Sequence, residues 1–196
     1  MKPSEATKPH LIVMVGIPSS GKSFFAEHFA ETFKAPIVSF DQLRKQIFSN
    51  PTFSKDEDEI INKVASYFLD EVLKTKKTAI LESHTNLHSE RMAITKNAHS
   101  AGYEPLFIWV QTEIQEAQKR ATKTCVEKPA LTIDEFNKKL KQFSPPHKLE
   151  KAIVISGKHT YASQLKIVLK HLIQPLPENK STNPVHPSKS RNFLIR

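Results

Sequence analysis

The segment GIPSSGKS at residues 16–23 constrains the possible fold more than any other part of the chain. It follows a continuous apolar run, HLIVMV at 10–15, which is typical of a buried strand. The spacing G-x-x-x-x-G-K-S is typical of a loop that binds phosphate between a strand and a helix. The chain has only four glycines, and two of them occupy the fixed positions of this pattern. We therefore predict a nucleotide-binding loop here.

Each residue type in this loop has a chemical reason to be there. Glycines let the backbone fold into a concave nest of N–H groups, and the following helix adds its positive N-terminal end. Lys22 is expected to reach the β- and γ-phosphates, and Ser23 to bind magnesium. The alternative is a plain glycine turn with Lys22 exposed. The predicted nucleotide-binding residues are Gly16, Pro18, Ser19, Ser20, Gly21, Lys22, Ser23 and Phe24.

Strand-like and helical segments alternate along the chain, which predicts a largely parallel sheet with helices on both faces. The hydrophobic patterns predict five strands, at 10–15, 36–40, 78–83, 105–110 and 152–156. Helices are predicted at 22–33, 42–48, 55–74, 89–102, 113–124, 132–143 and 160–173. Apolar residues at helical spacing are expected to face the core. They are Phe25, Phe29 and Phe33 in the first helix, and Ile60, Ile61, Val64, Phe68 and Val72 in the long one.

Asp41 and Arg44 follow the second predicted strand. Ligands of open α/β sheets bind where the strands end, so both residues are expected near the phosphate loop. A carboxylate there could accept a proton from an attacking hydroxyl, and an arginine could hold an acceptor phosphate. The alternative is that Asp41 caps the helix at 42–48 and that Arg44 lies on the surface.

The segment ESHTN at 82–86 follows the third predicted strand and is expected at the same edge of the sheet. Glu82 could hold magnesium through water, or could be an exposed charge where a strand ends. His84, Thr85 and Asn86 are candidates for binding the acceptor.

A basic cluster, Lys119, Arg120 and Lys123, lies on a helix that leads into an irregular segment. Its cations could close over a transferring phosphoryl group as part of a lid at about 120–143. The alternative is a solvated helix face.

The composition bounds the class of protein. The chain has 196 residues, a net charge of +9 and one cysteine, Cys125. This excludes an intramolecular disulfide framework and suits a polyanionic ligand. With no membrane span or signal segment in the sequence, we expect a cytoplasmic protein. Residues 1–9 are expected to be a flexible leader, 10–174 the folded domain, and 175–196, with four prolines and a basic excess, a disordered tail.

Taken together, these motifs resemble the small P-loop kinases grouped around the phage-type polynucleotide 5′-kinase and the zeta toxins. The resemblance covers about residues 10–143. It includes D-x-x-R at 41–44, K-R-x-x-K at 119–123, ALTIDEF at 130–136, and HTNLHSER at 84–91, which is similar to that kinase's D-T-N-L-N-P-E-R. It implies a kinase-type three-layer α/β sandwich with a five-stranded, mostly parallel sheet and a helical lid. It also implies that the loop binds ATP and Mg²⁺, that Asp41 activates the acceptor hydroxyl, and that Arg44 contacts an acceptor phosphate.

Two positions depart from that pattern. His84 stands where the polynucleotide kinase has an aspartate, and Thr124 where its lid has an arginine, which leaves Arg120 and Lys123 as the lid cations. We therefore predict an ATP-dependent kinase whose acceptor is a polynucleotide 5′-hydroxyl. A kinase for a metabolite, nucleoside or sugar, and an ATP-binding switch protein that transfers nothing, are the alternatives.

Overall fold

The computed structural model describes residues 8–83, 85–123 and 130–173, which form one five-stranded parallel sheet with helices packed on it. In chain order the elements are β1 (His10–Val15), α1 (Lys22–Phe33), β2 (Ile37–Ser39), α2 (Phe40–Ile47), α3 (Lys55–Lys74), β3 (Ala79–Glu82), α4 (His88–Ser100), β4 (Glu104–Gln111), α5 (Ile114–Ala121), α6 (Ile133–Lys141), β5 (Ile153–Ser156) and α7 (Tyr161–Ile173). The strand order is β2-β3-β1-β4-β5, and all four neighbouring pairs are parallel.

The central strand β1 is buried on both faces, and its alternating side chains divide the core in two. Leu11 and Val13 belong to one cluster, which includes residues of α3 and α4. Ile12 and Met14 belong to the other, which includes residues of α1 and α7. The predicted three-layer sandwich is therefore confirmed, and the sheet is parallel throughout the described residues.

A third, smaller apolar cluster connects the lid region to the phosphate loop. Ile17 of the loop belongs to it, together with Ala117 and Ala121 of α5 and Phe136 of α6. Thr132 caps α6, because its hydroxyl accepts a hydrogen bond from the N–H of Glu135. The predicted lid thus contains the end of α5 and all of α6, while residues 124–129 lie outside the described part of the chain.

The bounds of α1 and α3 are those predicted, but parts of their orientation were predicted wrongly. Phe33, Ile60 and Phe68 are 46%, 44% and 47% exposed. Ala65 is buried instead, and it lies on the buried face of α3 one turn after Ile61. Because alanine is only weakly hydrophobic, the sequence pattern assigned the buried face of the helix to the larger apolar side chains beside it.

Among the described residues no helix is both long and apolar enough to cross a membrane. Nearly all of the predicted leader (1–7 of 1–9) and the whole predicted tail lie outside the described residues, so the predicted domain limits stay predictions.

Candidate nucleotide and acceptor site

The loop of residues 16–23 joins β1 to α1 at the centre of the sheet, and two of its positions require glycine. Gly16 has φ +151°, and a Cβ there would lie 2.6 Å from the carbonyl oxygen of Val110. Gly21 has φ +106° and stands at the N-terminus of α1 without a side-chain cap. The first N–H groups of a helix have no partner within the helix, so this end can bind an anion.

Lys22 folds back over the loop that precedes it. Its Nζ donates hydrogen bonds to the carbonyl oxygens of Gly16 and Ile17, each at 2.9 Å. The ammonium group is therefore held against the cradle in which the predicted phosphates would lie. This position fits the role of a phosphate-binding cation.

Ser23 and Glu82, the two predicted metal-binding residues, contact each other. Ser23 Oγ donates to Glu82 Oε1 at 2.5 Å, and Ser39 Oγ donates to Glu82 Oε2 at 3.1 Å. Glu82 is only 8% exposed, so it is not the exposed strand-end charge of the alternative interpretation. Hydroxyl and carboxylate oxygens suit Mg²⁺, which usually keeps several waters and takes few protein ligands. The donor set therefore fits a magnesium ion next to the phosphate cradle.

The back of the loop is anchored by two residues for which the sequence predicted no such contact. Thr112 Oγ1 donates to the carbonyl oxygen of Ser20 at 2.8 Å. A Cβ on Gly157 would lie 1.9 Å from that same oxygen, so the turn after β5 passes directly against the loop. Gly157 carried a signal, since it is one of only four glycines and follows the last strand, but its contact is visible only in the fold.

Arg120 and Lys123, the predicted lid cations, differ in their surroundings. Arg120 Nε donates to Glu116 at 2.9 Å, and its Nη1 donates to the carbonyl oxygen of Gly157 at 3.2 Å. Lys123 is exposed and lies two residues beyond the end of α5, so the prediction that it lies on this helix is wrong. Arg120 therefore lies beside the turn that supports the phosphate loop, while the contact of either cation with a phosphoryl group stays a prediction.

Asp41 lies in the first turn of α2, at the carboxyl end of β2. The cap of this helix is Ser39, whose Oγ accepts a hydrogen bond from the N–H of Gln42 at 3.4 Å. The alternative that Asp41 caps the helix is therefore wrong. Ser39 pairs with Glu82, a predicted metal-binding residue, in the sheet. Asp41 follows Ser39 by two residues and is therefore close to Glu82 in the fold. Asp41 is exposed and lies at the edge where a general base was predicted.

Arg44 is buried rather than on the surface, and acidic side chains surround its guanidinium. Arg44 Nη1 donates to Glu57 at 2.9 Å, and Nη2 contacts Asp58. The guanidinium also lies 5.0 Å from the ring centre of Phe53. We call this group the Arg44 clasp. The clasp joins α2 to the start of α3. Its carboxylates balance the positive charge of Arg44, which was predicted to hold an acceptor phosphate.

Glu57 is ionised within this clasp. Burial favours its neutral form, but hydrogen bonds from the N–H and hydroxyl of Thr52, the N–H of Phe53 and the guanidinium of Arg44 lower its pKa to about 2. The clasp therefore holds one cation between two carboxylates at neutral pH.

Thr85 and Asn86, two of the predicted acceptor residues after β3, lie at the same edge, but the hydroxyl of Thr85 is bonded to the backbone. Its side chain is 2% exposed, and its hydroxyl donates to the carbonyl oxygen of Met14 at 2.8 Å. We therefore infer that this hydroxyl attaches the 85–87 loop to β1 and does not bind the acceptor. Asn86 is half-buried at the same edge, and its carbonyl accepts from the N–H of Ser144 at 2.8 Å. His84 lies outside the described residues.

Arg91 organises this region and was not singled out from the sequence, although it ends the HTNLHSER segment. The side chain is fully buried and donates to the carbonyls of Thr85 and Ser144 at 2.9 and 3.0 Å. It also forms an ion pair with Glu150 at 2.7 Å. Burial opposes ionisation of Glu150, but hydrogen bonds from Arg91 and from the N–H of His147 hold its pKa below the ordinary value. Arg91 thus fastens the 85–87 loop to the 144–150 segment.

A central phosphate loop, a serine–carboxylate pair and a β2-β3-β1-β4-β5 parallel sheet define a P-loop kinase-type nucleotide-binding domain. A family described as an AAA domain (AAA_33) matches residues 11–146, more than half of the chain. The chain belongs to this family. No curated protein matches the sequence.

Solved structures with the same fold include several kinases. A gluconokinase from Sinorhizobium meliloti 1021 has a TM-score of 0.59 and 15% identity, covering 86% of this chain and 94% of its own. Kti12 from Chaetomium thermophilum, in complex with ADP-AlF3, has a TM-score of 0.64 and 16% identity, covering 83% of this chain and 97% of its own. A chain of the Pnkp1/Rnl/Hen1 RNA repair complex has a TM-score of 0.60 and 24% identity, covering 72% of this chain and 46% of its own. At these identities the likeness shows the fold.

Proposed function

We propose that the chain is an ATP-dependent kinase that transfers the γ-phosphoryl group to an acceptor hydroxyl. One observation carries the proposal. Lys22, held over the glycine loop, and the Ser23–Glu82 pair lie at the same sheet edge as Asp41 in the first turn of α2. A phosphate cradle, a metal-binding pair and a base at one edge are the parts that phosphoryl transfer requires.

The proposed step balances with these residues. The acceptor oxygen forms a bond to the γ-phosphorus, the bond from that phosphorus to the β–γ bridging oxygen breaks, and ADP leaves. Asp41 accepts the proton of the acceptor hydroxyl. Lys22 and the N–H groups at the start of α1 stabilise the phosphate charge. Mg²⁺, when bound near Ser23 and Glu82, supplies further charge neutralisation on the phosphate oxygens.

Two classes of acceptor compete within this proposal. The net charge of +9 supports a polynucleotide 5′-hydroxyl, as does the resemblance to polynucleotide kinases. The Arg44 clasp supports a small hydroxyl compound, because a phosphate would have to displace Glu57 and Asp58 from the guanidinium. The clasp leads us to favour the small acceptor.

Acceptor-dependent ATP turnover tests the kinase proposal against a switch protein that only hydrolyses ATP. ATP consumption by the full chain would be followed with Mg²⁺ alone and after addition of hydroxyl compounds and 5′-hydroxyl oligonucleotides. A kinase turns over rapidly only with an acceptor present, and the label of γ-labelled ATP then appears on that acceptor. Slow turnover that no acceptor increases would contradict the proposal and favour the switch protein.

A further inference from the structure

A pocket of about 390 Å³ lies between α3 and α4, on the face of the sheet opposite α1. Its volume falls at the lower end of the range of about 300–1,000 Å³ that small-molecule sites occupy. Leu69 and Leu81 form part of its apolar lining, while Asn62, Ser66 and Asn97 contribute polar groups. An apolar wall with a few placed polar groups is typical of a site that orients a small polar ligand.

This pocket adjoins the candidate reaction centre. Ser83, which lines it, directly follows Glu82, and Phe40, which also lines it, directly precedes Asp41. Because successive strand residues point to opposite faces, Glu82 points towards α1 while Ser83 faces the pocket. A ligand in the pocket would therefore lie at the same sheet edge as the metal pair and the base, but on the other face.

The charges around the pocket select against a phosphorylated ligand. Among the described residues that line it, Glu90 is the one charged side chain, and it is acidic. Its carboxylate accepts a hydrogen bond from the N–H of Leu87 at 2.8 Å, which fixes it at the start of α4. Arg44, the buried cation of α2, does not line the pocket, and the carboxylates of its clasp balance its charge. Among the described residues that line the pocket, a phosphate entering here would meet one negative charge and no cation.

We propose that the α3–α4 pocket is the acceptor site and that it takes an uncharged polyhydroxyl compound of sugar or nucleoside size. The proposal rests on the kinase function proposed above and names the substrate class of that site. The bound acceptor presents its hydroxyl to the γ-phosphoryl group at the sheet edge, and Asp41 receives the proton.

Two tryptophan variants at neighbouring positions of α4 test the site. Ala93 lines the pocket and is exposed, so Ala93→Trp fills the pocket without disturbing the core. Met92 is 50% exposed and does not line the pocket, so Met92→Trp is the matched control. Adjacent helix positions point in different directions, so the two tryptophans add the same bulk to different surfaces.

The assay would use γ-labelled ATP, Mg²⁺ and four pairs of probes. The probes are glucose, myo-inositol, adenosine and cytidine, each beside its monophosphate, together with a 5′-hydroxyl oligonucleotide. We expect label on at least one uncharged probe, a KM for it raised about tenfold or more in Ala93→Trp, and a KM within about twofold of wild type in Met92→Trp. Preference for a monophosphate or for the oligonucleotide would overturn the proposal, as would equal behaviour of the two variants.

A binding measurement separates failure of this proposal from failure of the kinase function. Thermal unfolding of the wild type and both variants would be followed with each uncharged probe, without ATP. A probe that raises the Tm of the wild type and of Met92→Trp, but not of Ala93→Trp, supports the pocket even if no label is transferred. If no uncharged probe is labelled and none raises the Tm, the pocket proposal is wrong.

Discussion

The phosphate half and the acceptor half of the candidate site are built in different ways. The phosphate half is formed by eight consecutive residues, 16–23, whose backbone makes the cradle. The acceptor half that we propose is assembled from α2, α3, α4 and the end of β3, and buried ion pairs of Arg44 and Arg91 hold the surrounding segments together. Any triphosphate presents the same phosphates, so one local motif suffices there. Acceptors differ, so that half depends on long-range side-chain contacts that a motif does not encode.

The largest expected effect is in the phosphate half. Lys22→Ala removes the cation that lies over the loop, and we expect ATP affinity to fall about 100-fold, since hydrogen bonds to charged groups contribute about 1.5–3 kcal/mol each. Titration calorimetry with ATP and Mg²⁺ measures this. Lys166→Ala, at an exposed position of α7, is the control. An unchanged affinity in Lys22→Ala would remove the basis of the phosphate-loop assignment.

The phosphate half also depends on one distant residue. Gly157→Ala places a Cβ against the carbonyl oxygen of Ser20, and we expect a loss of about 2–3 kcal/mol of stability. The displaced loop should also bind ATP more weakly. Thermal unfolding and calorimetry measure the two effects.

Gly102→Ala is the matched control for this substitution. Gly102 has φ +77°, but the nearest atom to a Cβ there is the flexible Nζ of Lys76 at 3.7 Å. It should therefore lose only about 1 kcal/mol, from backbone strain. If Gly157→Ala is the milder of the two variants, the turn after β5 does not support the loop as described.

Glu82→Gln tests the connection between the two halves, because Glu82 contacts Ser23 of the loop and Ser39 before α2. We expect the Mg²⁺ concentration needed for half-maximal ATP binding to rise about tenfold. Glu31→Gln, at an exposed position of α1, should leave it unchanged. An unchanged magnesium requirement in Glu82→Gln would separate Glu82 from the metal.

The smallest effect is expected in the Arg44 clasp. Glu57→Gln should lower the Tm by a few degrees at pH 7, because it removes a carboxylate that accepts four hydrogen bonds. The pKa of Glu57 is lowered from 4.5 to about 2, so its ionisation stabilises the fold above about pH 4.5, and this contribution is lost as the pH falls towards 2. The Tm difference from wild type should therefore shrink below about pH 4.5.

Unfolding scans at a series of pH values check this dependence. Glu59→Gln, in the same helix and exposed, is the control and should show a small difference at every pH. A difference between wild type and Glu57→Gln that stays constant from pH 7 to pH 3 would contradict the ionised clasp.

The sequence predicted the order of the elements and the glycine turn between β1 and α1 well, for local reasons. The limits of α1 and α3 follow from hydrophobic periodicity and from glycine and serine at their N-termini. The loop follows from glycines at fixed positions. The contact between Ser23 and Glu82 follows because parallel strands end at one edge of the sheet.

The acceptor half was harder to predict because its partners are far apart in the chain. Nothing near Arg44 in the sequence indicated that Glu57 and Asp58 would pair with it. The alternative that Arg44 lies on the surface is wrong, because its side chain is buried. Thr85 was predicted to bind the acceptor because of its position after β3. Its hydroxyl instead donates a hydrogen bond to the carbonyl oxygen of Met14 on β1. Arg91 lay within a quoted motif, and only tertiary contacts reveal what it holds.

The most direct test of the central claim compares Asp41→Asn with the wild type. The measurement is the rate at which each transfers label from γ-labelled ATP to an acceptor. The uncharged probes serve as acceptors, ATP binding is measured on the same samples, and Asp56→Asn in α3 is the control. The account predicts that Asp41→Asn binds ATP as the wild type does and loses about 10²–10⁴-fold of transfer, the contribution of a general base. Transfer at the wild-type rate by Asp41→Asn would contradict the account, because the acceptor proton would then leave by another route.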